Sequence, residues 1–282
     1  ILIKNKKKLY YEINKDWIAY HIKRDTWVSE KFKKVFGKIR KPGTKISQHH
    51  KNIAAALQLR LEEVVLSKLK FAKKQYKISK LCIAGGVGLN CSLNGKISKS
   101  KIFDEIFVQP ASGDSGVALG AVYASMAERG SDLKVKKRHN HYLGSRYNDL
   151  SYLNYIKKNK INFKKSKNIF DDTAKFLKEG KIVGWFQDAA EFGPRALGNR
   201  SILCRPYPAK MKDYLNKRVK FREPFRPFAP AVLDIDTHRY FDINQQSPHM
   251  LIACNVQKKV KNKIPAVIHV DNTCRVQTVS NS

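Results

Sequence analysis

Two segments rich in arginine, glycine and proline stand out in this chain: E-F-G-P-R-A-L-G-N-R-S at residues 191–201 and K-F-R-E-P-F-R-P-F-A-P at residues 220–230. We call these the first and the second basic segment. Their cations lie among glycines and prolines, which fix unusual backbone geometry, rather than on one helical face. Phenylalanines in both segments can exclude water around the cations, namely Phe192, Phe221, Phe225 and Phe228.

The two basic segments predict a pocket for a polyanion. Arginine presents a planar fork of donors that matches phosphate or carboxylate at two points. A basic surface loop closed by turns is the alternative, and it is the usual interpretation of an isolated cation. Two such segments close together and interleaved with Phe-Pro favour convergence of Arg195, Arg200, Lys220, Arg222 and Arg226 on one ligand.

Length and cysteine usage set the broad class of protein. A chain of 282 residues has room for two domains, each with its own core. It begins at Ile1 and stops just after an apolar run, so we expect a fragment of a longer protein. No run approaches the ~20 apolar residues of a membrane helix. Five cysteines without a C-x-x-C pair argue against a disulfide framework or a zinc ribbon. We expect a soluble, cytoplasmic protein whose cysteines are buried small hydrophobes.

The net charge of +33 first suggests nucleic acid or an anionic membrane as a partner. The lysines, however, are scattered without a repeated motif, and Ile and Asn are also abundant. A general compositional bias therefore explains the charge at least as well as a binding face does. A basic nucleic-acid-binding protein stays open as an alternative, while a membrane partner is not expected.

The first half of the chain predicts a long helix followed by two strand–loop–helix units. Residues 47–74 repeat apolar side chains at helical spacing, which predicts one buried face that includes Leu57. His49 and His50 fall in its first turn and are either metal ligands or, more commonly, solvated or satisfied histidines. Strands at 81–84 and 105–108 are each followed by a loop and a helix, which indicates α/β character with the site at the strand ends.

Each of these two loops contains candidate ligand-binding residues. G-G-V-G-L-N at 85–90 lets backbone N–H groups approach a phosphate or nucleoside, although a tight strand-to-helix turn needs the same glycines. Asp114 stands where the second loop enters the helix at 117–127, whose small residues suit close packing on a sheet. Its carboxylate is either an N-cap or a metal ligand.

The second half predicts a mixed-sheet domain after a polar, Lys-rich linker between Gly130 and about Asn168. A helix capped by Asp171 or Asp172 should end at Gly180. Further patterns predict a helix at 211–219 and strands at 181–186, 230–233, 250–256 and 275–279.

These segments together resemble the signature of the NodU/TobZ-type O-carbamoyltransferases. Three more motifs carry the likeness: G-G-V-G-L-N at 85–90, G-D-S-G-V-A-L-G at 113–120 and H-V-D-N-T-C-R-V-Q-T at 269–278. The likeness runs from about residue 46 to the end. It implies an α/β fold in which the C-terminal part of an ASKHA/Kae1-like (RNase H-like) domain at 1–135 is joined by a linker at 136–168 to a YrdC-like domain at 169–282, incomplete at its C-terminus.

The resemblance implies an enzyme with two half-reactions. Carbamoyl phosphate and ATP give a carbamoyl-adenylate in the YrdC-like domain, and the carbamoyl group then passes to a hydroxyl of a small-molecule or sugar acceptor at the metal-bearing domain. ATP and a divalent metal, Fe2+ at that site or Mg2+ with ATP, are the implied cofactors. A threonylcarbamoyl-adenylate-type relative in tRNA modification is the enzyme alternative, and a catalytically inactive homologue is a third.

The resemblance also assigns residues. Arg195, Lys220, Arg226 and Arg275 match the positions that bind carbamoyl phosphate and ATP, and the first three are the implied catalytic cations. Arg222 and Arg200 either join them or pair with Glu223 and Glu191 to hold the pocket. The residues that match the nucleoside loop are Gly85, Gly86 and Asn90.

Asp114 matches the metal-ligand aspartate of the family, and the resemblance favours the ligand over the cap. The chain departs from the family at three points. The H-x-x-x-H spacing of the histidine ligands does not occur, so these ligands are expected before Ile1. Asp188 stands where the family more often has glycine, and the final nucleotide-binding segment is expected beyond Ser282.

Overall fold

The described residues of this computed structural model are 2–4, 11–132 and 141–280. They form a mixed α/β structure with eleven strands in five small sheets and eight α-helices. Contacts divide the chain into two units, residues 1–80 with 96–104 and residues 81–95 with 105–282. The predicted domain limits differ from these units and stay a prediction, and residues 136–140 of the predicted linker lie outside the described residues.

The first unit contains the long predicted helix. Strands β1 (Leu2–Lys4) and β2 (Tyr11–Ile13) pair antiparallel, and helices α1 (Glu30–Phe36) and α2 (Gln48–Tyr76) follow. The Ser47 side chain caps α2, as the capping rules require of a serine before a helical run.

The histidines of α2 have structural roles. His50 completes the capping box, because its Nδ1 accepts from the Ser47 N–H at 3.0 Å. His49 Nε2 lies 2.8 Å from the Phe36 carbonyl oxygen. The expected buried face is wrong in the first half of the helix, since Leu57 is 61% exposed and burial begins near Glu62 and Val64.

Both predicted strand–loop–helix units are confirmed. Strands β3 (Lys80–Ile83) and β4 (Glu105–Val108) form one small sheet, and helices α3 (Cys91–Ser100) and α4 (Val117–Glu128) follow their loops. The expected packing of α4 is wrong, because none of its residues is buried.

The following helices match the predictions only in part. Helix α5 (Asp149–Lys158) lies within the polar stretch that predicted a linker. Helix α6 (Ile169–Lys178) is capped by the side chain of Asn168 rather than by Asp171 or Asp172. An asparagine immediately before a helix can accept hydrogen bonds from the unpaired backbone N–H groups of the first turn, so Asn168 is the cap. Helix α7 (Lys210–Arg218) is confirmed, and the short α8 (Thr237–Tyr240) was not predicted.

The strands of the second half form three separate sheets. Antiparallel pairing joins β5 (Val183–Phe186) with β6 (Arg200–Leu203), and β9 (Ala253–Val256) with both β8 (Phe241–Asp242) and β10 (Thr273–Arg275). Strand β7 (Ala231–Leu233) pairs parallel with β11 (Gln277–Val279). The strand predicted at 275–279 is therefore two strands, which leave for different sheets on either side of the fully buried Val276.

The main hydrophobic core lies around β8, β9 and β10. Its buried members are Phe241, Cys254, Val256, Val260, Ile264, Val267, Cys274 and Val276. Burying each such side chain contributes about 1.5–3 kcal/mol, so this core fixes the strand that ends in Arg275. All five cysteines are free, but only Cys254 and Cys274 are buried, and the expectation of burial is wrong for the exposed Cys82.

Within the described ranges, no helix is both long and apolar enough to cross a membrane.

Candidate anion-binding site

The first basic segment is organised by the carboxylate of Glu191. Its Oε1 accepts the backbone N–H groups of Leu197 at 2.6 Å, Asn199 at 2.9 Å and Arg200 at 3.2 Å. Burial acts to raise the pKa of Glu191, but these backbone donors outweigh it and lower the pKa. The carboxylate is therefore held charged inside the loop.

Contacts from outside the segment fix the same loop. The Leu197 carbonyl oxygen accepts from the Tyr142 hydroxyl and from Gln277 Nε2, both at 2.9 Å. Gly193 has φ +134°, and a Cβ there would lie 3.0 Å from the Pro110 carbonyl oxygen, so only glycine fits. Arg195, which lies between these anchors, therefore has a defined backbone position.

Arg195, Arg222 and Arg275 form a cluster of positive charges. Because it is the candidate site for an anion, we call it the anion cluster. Burial lowers the pKa of Arg275, and the neighbouring charges of Arg195 and Arg222 lower it further. The Nε atoms of Arg195 and Arg275 are buried and have no hydrogen-bond partner among the described residues. Buried donors without acceptors are costly, so this arrangement is suited to a ligand rich in acceptor oxygens.

The second basic segment is held by the buried amide of Asn216 on α7. Its Oδ1 accepts from Arg222 Nε at 2.7 Å, and its Nδ2 donates to the carbonyl oxygens of Arg226 at 2.9 Å and Pro224 at 3.3 Å. The Arg222 guanidinium also lies over the Phe228 ring, 4.7 Å from its centroid. Arg222 is thus fixed at the edge of the anion cluster.

The other predicted cations of this segment are more exposed. Arg226 pairs with Glu223 at 2.7 Å, and its charge contributes to lowering the pKa of Arg222, after the larger effect of burial. Lys220 is exposed and lies two residues beyond the end of α7. The expected water-excluding wall is wrong for Phe221 and Phe225, which are 82% and 63% exposed.

Arg200 supports the pocket instead of lining it. Its guanidinium donates to the carbonyl oxygens of Gln187, Asn199, Asp188 and Ser145, and it stacks on Phe186 at 3.5 Å. The Glu191 carboxylate receives the backbone N–H of Arg200. The supporting role matches one of the two expectations, although the partners of the guanidinium are carbonyl groups.

The glycine loop comes close to the anion cluster through Cys91, which sequence analysis did not single out. Gly85 has φ +95°, and space is open around both Gly85 and Gly86. Asn90 Oδ1 accepts from the Leu93 N–H at 3.0 Å and so caps α3. Cys91, the next residue, lies close enough to the Arg275 side chain to act on its pKa, which it raises against the larger effect of burial.

Two contacts hold the first half of α3 against β9 and the residues just before it. Ala253 of β9 is the residue that pairs with Arg275 of β10. Asn94 Nδ2 donates to the carbonyl oxygens of Gly88 at 2.7 Å and Leu251 at 2.9 Å. A Cβ on Gly95 would lie 2.1 Å from the Ala253 carbonyl oxygen, so the helix approaches β9 as closely as glycine allows. The glycine loop and the anion cluster therefore belong to one unit.

Asp114 begins a short 3-10 helix ahead of α4 and is exposed. The caps at this junction are Gly113 and Gly116, so the N-cap interpretation of Asp114 is wrong. In the described ranges no group of three or more His, Cys, Asp or Glu side chains could hold a metal ion. Asp114 offers one carboxylate ligand, which alone is too few for a metal centre.

Asp188 occupies a backbone position that favours glycine. Its φ is +44°, in the left-handed region, where an aspartate is tolerated better than most residues. Its carboxylate pairs with Arg146 Nε at 2.7 Å. This pairing accounts for the departure from glycine without placing an uncompensated acid beside the cations.

A separate groove of about 710 Å³ runs along α7 and the start of β5. It has a basic lining contributed by Lys181, Arg205, Lys210, Lys217 and Arg218, and its apolar part includes Ile182 and Met211. None of the anion cluster lines this groove. Arg205 of this groove also has a buried Nε without a partner among the described residues. We assign the site to the anion cluster because two such arginines, Arg195 and Arg275, lie close together there.

Comparison with known protein families gives two matches, one in each half of the chain. The family model described as "Carbamoyltransferase N-terminus" matches residues 1–123, and the one described as "Carbamoyltransferase C-terminus" matches residues 174–282. Nodulation protein NolO of Bradyrhizobium diazoefficiens is 40% identical over 249 residues, covering 86% of this chain and 45% of the relative.

Two other relatives give a similar picture. Nodulation protein NolNO of Sinorhizobium fredii is 39% identical over 86% of this chain and 37% of its own length. Nodulation protein U of Rhizobium tropici is 34% identical over 82% of this chain and 39% of its own length. The chain thus spans less than half the length of each of these relatives.

The structure is that of a mixed α/β protein with a half-buried cluster of three arginines, Arg195, Arg222 and Arg275. Matches to both halves of one family, together with these relatives, show that the chain belongs to the carbamoyltransferase family.

Proposed function

We propose that this chain is part of an ATP-using O-carbamoyltransferase, with an ASKHA/Kae1-like region followed by a YrdC-like region. In the proposed reaction, water first cleaves the P–O bond of carbamoyl phosphate to give carbamate and inorganic phosphate. A carbamate oxygen then attacks the α-phosphorus of ATP, which gives a carbamoyl-adenylate and releases pyrophosphate. A hydroxyl of a small-molecule or sugar acceptor finally attacks the carbamoyl carbon, with AMP as the leaving group. Family membership supports carbamoyl transfer in general, and the cluster of cations supports the use of two polyanionic substrates.

One observation carries the proposal: Arg195 and Arg275 are close enough to repel each other while both Nε atoms are buried without partners. Such an arrangement is unfavourable in the empty protein and becomes favourable when oxygen-rich anions bind between the cations. Fixed cations also offset the repulsion between two bound anions and stabilise charge that develops on the leaving pyrophosphate.

The proposed roles follow from how firmly each cation is held. Arg195 and Arg275 bind the least exposed phosphoryl oxygens, and Arg222 completes the cluster from its fixed place beside Asn216. Arg226 and Lys220 lie on the exposed side and are proposed to engage when both substrates are bound. Gly85, Gly86 and Asn90 border the nucleoside end, since the loop that they form ends at Cys91 beside Arg275.

Metal chemistry is a separate part of the proposal. Asp114 would supply one carboxylate to a divalent metal, Fe2+ by family resemblance, whose chemistry there would be to polarise the carbamoyl carbonyl group. In the adenylating half-reaction, the roles proposed for this chain are those of its cationic residues.

The test is the release of pyrophosphate from ATP by the full-length protein, with and without carbamoyl phosphate. We expect release that requires both substrates and falls by at least about 100-fold in Arg275→Ala, because a catalytic charge contact contributes roughly 3 kcal/mol or more. Lys220→Ala should also lower release. Lys158→Ala, which removes an exposed lysine of α5, is the matched control and should leave release unchanged.

The alternatives give different results in the same assay. Release that requires threonine and bicarbonate instead of carbamoyl phosphate would favour the tRNA-modification relative. No release, combined with RNA binding that weakens steeply as salt rises, would favour a nucleic-acid-binding protein. Full activity of Arg275→Ala would show that the site assignment is wrong.

A further inference from the structure

His269 is a half-buried residue whose imidazole lies near Arg275 of the anion cluster. Its backbone N–H donates to the Thr273 carbonyl oxygen at 2.8 Å, and its own carbonyl oxygen accepts from Asn272 at 3.0 Å. These bonds close a tight turn directly before β10, the strand that carries Arg275. The ring is therefore held in a fixed position relative to Arg275.

A short hydrogen-bond chain determines which ring nitrogen carries the proton. Thr273 Oγ1 donates its single hydrogen to Asp271 Oδ1 at 2.7 Å. His269 Nδ1 lies 3.1 Å from the same Oγ1, which can then act only as an acceptor towards the ring. Neutral His269 consequently has its proton on Nδ1 and a free lone pair on Nε2.

The Nε2 atom of His269 is buried and finds no hydrogen-bond partner among the described residues. Burial lowers the pKa of this imidazole, and the charges of Arg275 and Lys212 lower it further, against the opposing effect of Asp271. The neutral form, with its lone pair available, is thus the favoured form at neutral pH.

An acceptor in this place has a specific chemical use. Guanidinium and ammonium groups are donors without acceptor capacity, so the cationic residues bind phosphate and carbonyl oxygens but cannot recognise an N–H group. Carbamoyl phosphate carries an amide NH2, whereas acetyl phosphate has a methyl group of nearly the same shape there. The cations alone cannot tell these two molecules apart.

We propose that Nε2 of His269 accepts a hydrogen bond from the amide NH2 of the carbamoyl group and so selects carbamoyl phosphate over acetyl phosphate. This inference rests on the proposed function, because it concerns the substrate of the same pocket. His269 is on this view a specificity-determining residue, and Thr273 is a positioning residue that acts through it.

The test measures binding, so that it does not depend on turnover. Phosphonoacetamide is a stable analogue of carbamoyl phosphate, and 2-oxopropylphosphonate is a stable analogue of acetyl phosphate. The two analogues differ only in that the first has an NH2 group where the second has a CH3 group. Their affinities for the full-length protein are compared by isothermal titration calorimetry. We expect the amide to bind about 10-fold or more tightly than the ketone, which is the effect of one satisfied against one unsatisfied buried polar group.

Variants locate the source of the preference. His269→Phe keeps a planar ring without the acceptor and should bring the two affinities within about 3-fold, mainly by weakening the amide. His269→Gln restores an acceptor and should recover part of the preference. Thr273→Val leaves the imidazole but removes the group that fixes its proton, and should reduce the preference partially. His238→Phe alters an exposed histidine of α8 and serves as the control.

The outcomes separate this inference from the proposed function. Equal binding of both analogues by the unaltered protein, or equal weakening of both in His269→Phe, would overturn the role of His269. A preference that is retained while no pyrophosphate release occurs would overturn the adenylating function and leave the recognition intact. Failure of both analogues to bind would overturn the role of His269, and the proposed function would fall with it only if pyrophosphate release were also absent.

Discussion

The two basic segments are anchored in different ways, although both present arginines to the same cluster. The first is folded around a charge of its own, because the Glu191 carboxylate accepts three N–H groups of the loop that follows it. The second is held by a neutral amide from outside, because Asn216 lies on α7 and bonds to the segment through Arg222, Pro224 and Arg226.

The difference explains why the arginines of the two segments differ in availability. In the first segment the Glu191 carboxylate bonds to backbone donors, and the buried Nε of Arg195 has no partner in the part of the chain that the structure describes. In the second segment the arginines themselves complete the fold, Arg222 on Asn216 and Arg226 on Glu223. The first segment thus contains a cation whose buried Nε has no partner among the described residues, while the second contains cations that already have structural partners.

The largest expected effect comes from removing the charged anchor. Glu191→Ala leaves three backbone N–H groups without an acceptor and should lower the free energy of unfolding by about 3 kcal/mol. It should also abolish pyrophosphate release, because the backbone that positions Arg195 loses its support. Urea unfolding followed by circular dichroism measures the first effect.

Two variants sharpen this result. Glu191→Gln keeps an acceptor oxygen and should lose about half as much stability, since a neutral bond is weaker than a charge-assisted one. Glu179→Ala removes an exposed carboxylate at the end of α6 and should change stability by less than about 0.5 kcal/mol. If Glu191→Ala were as stable as Glu179→Ala, the carboxylate would not be the anchor of the first segment.

A smaller effect is expected from removing the neutral anchor. Asn216 is 1% exposed, and Asn216→Ala removes its three side-chain hydrogen bonds, which should lower the free energy of unfolding by about 2 kcal/mol. Pyrophosphate release should fall less than in Glu191→Ala, because Arg195 and Arg275 keep their supports. Asn159→Ala, at the exposed end of α5, is the matched control. An equal loss of activity in Asn216→Ala and Glu191→Ala would remove the distinction between the segments.

The smallest expected effect is the change with pH in the stability that the Glu191 carboxylate contributes. The pKa of Glu191 is lower in the folded protein than the usual value, so the unfolded chain binds the proton more readily. The stability from this carboxylate is fully present above about pH 4.5, the usual range of a glutamate, and is lost as pH falls through the folded pKa. The difference in unfolding midpoint between the unaltered protein and Glu191→Gln should therefore shrink on acidification. The difference between the unaltered protein and Asn216→Ala should not change with pH in this way.

Local sequence predicted the elements whose signals are local. The long helix α2, the two strand–loop–helix units and helix α7 follow from the spacing of residues within a few positions. The cap of α6 and the unexpected α5 show the limit of such signals, since several polar residues compete for one role and a lysine-rich stretch can still form a helix. The buried face of α2 was misjudged because periodicity does not say which turns are covered.

Residue types in a fixed order are enough to recognise the family, the basic segments and most of the cations proposed to bind the ligand. Which cations meet depends on the fold, because Arg195, Arg222 and Arg275 are distant in the chain and converge through β10, α7 and the loop around Glu191. The fold also brought Cys91 and His269 to Arg275 and fixed the proton of His269 through Thr273. Such contacts arise from long-range packing, which no local pattern of residues encodes.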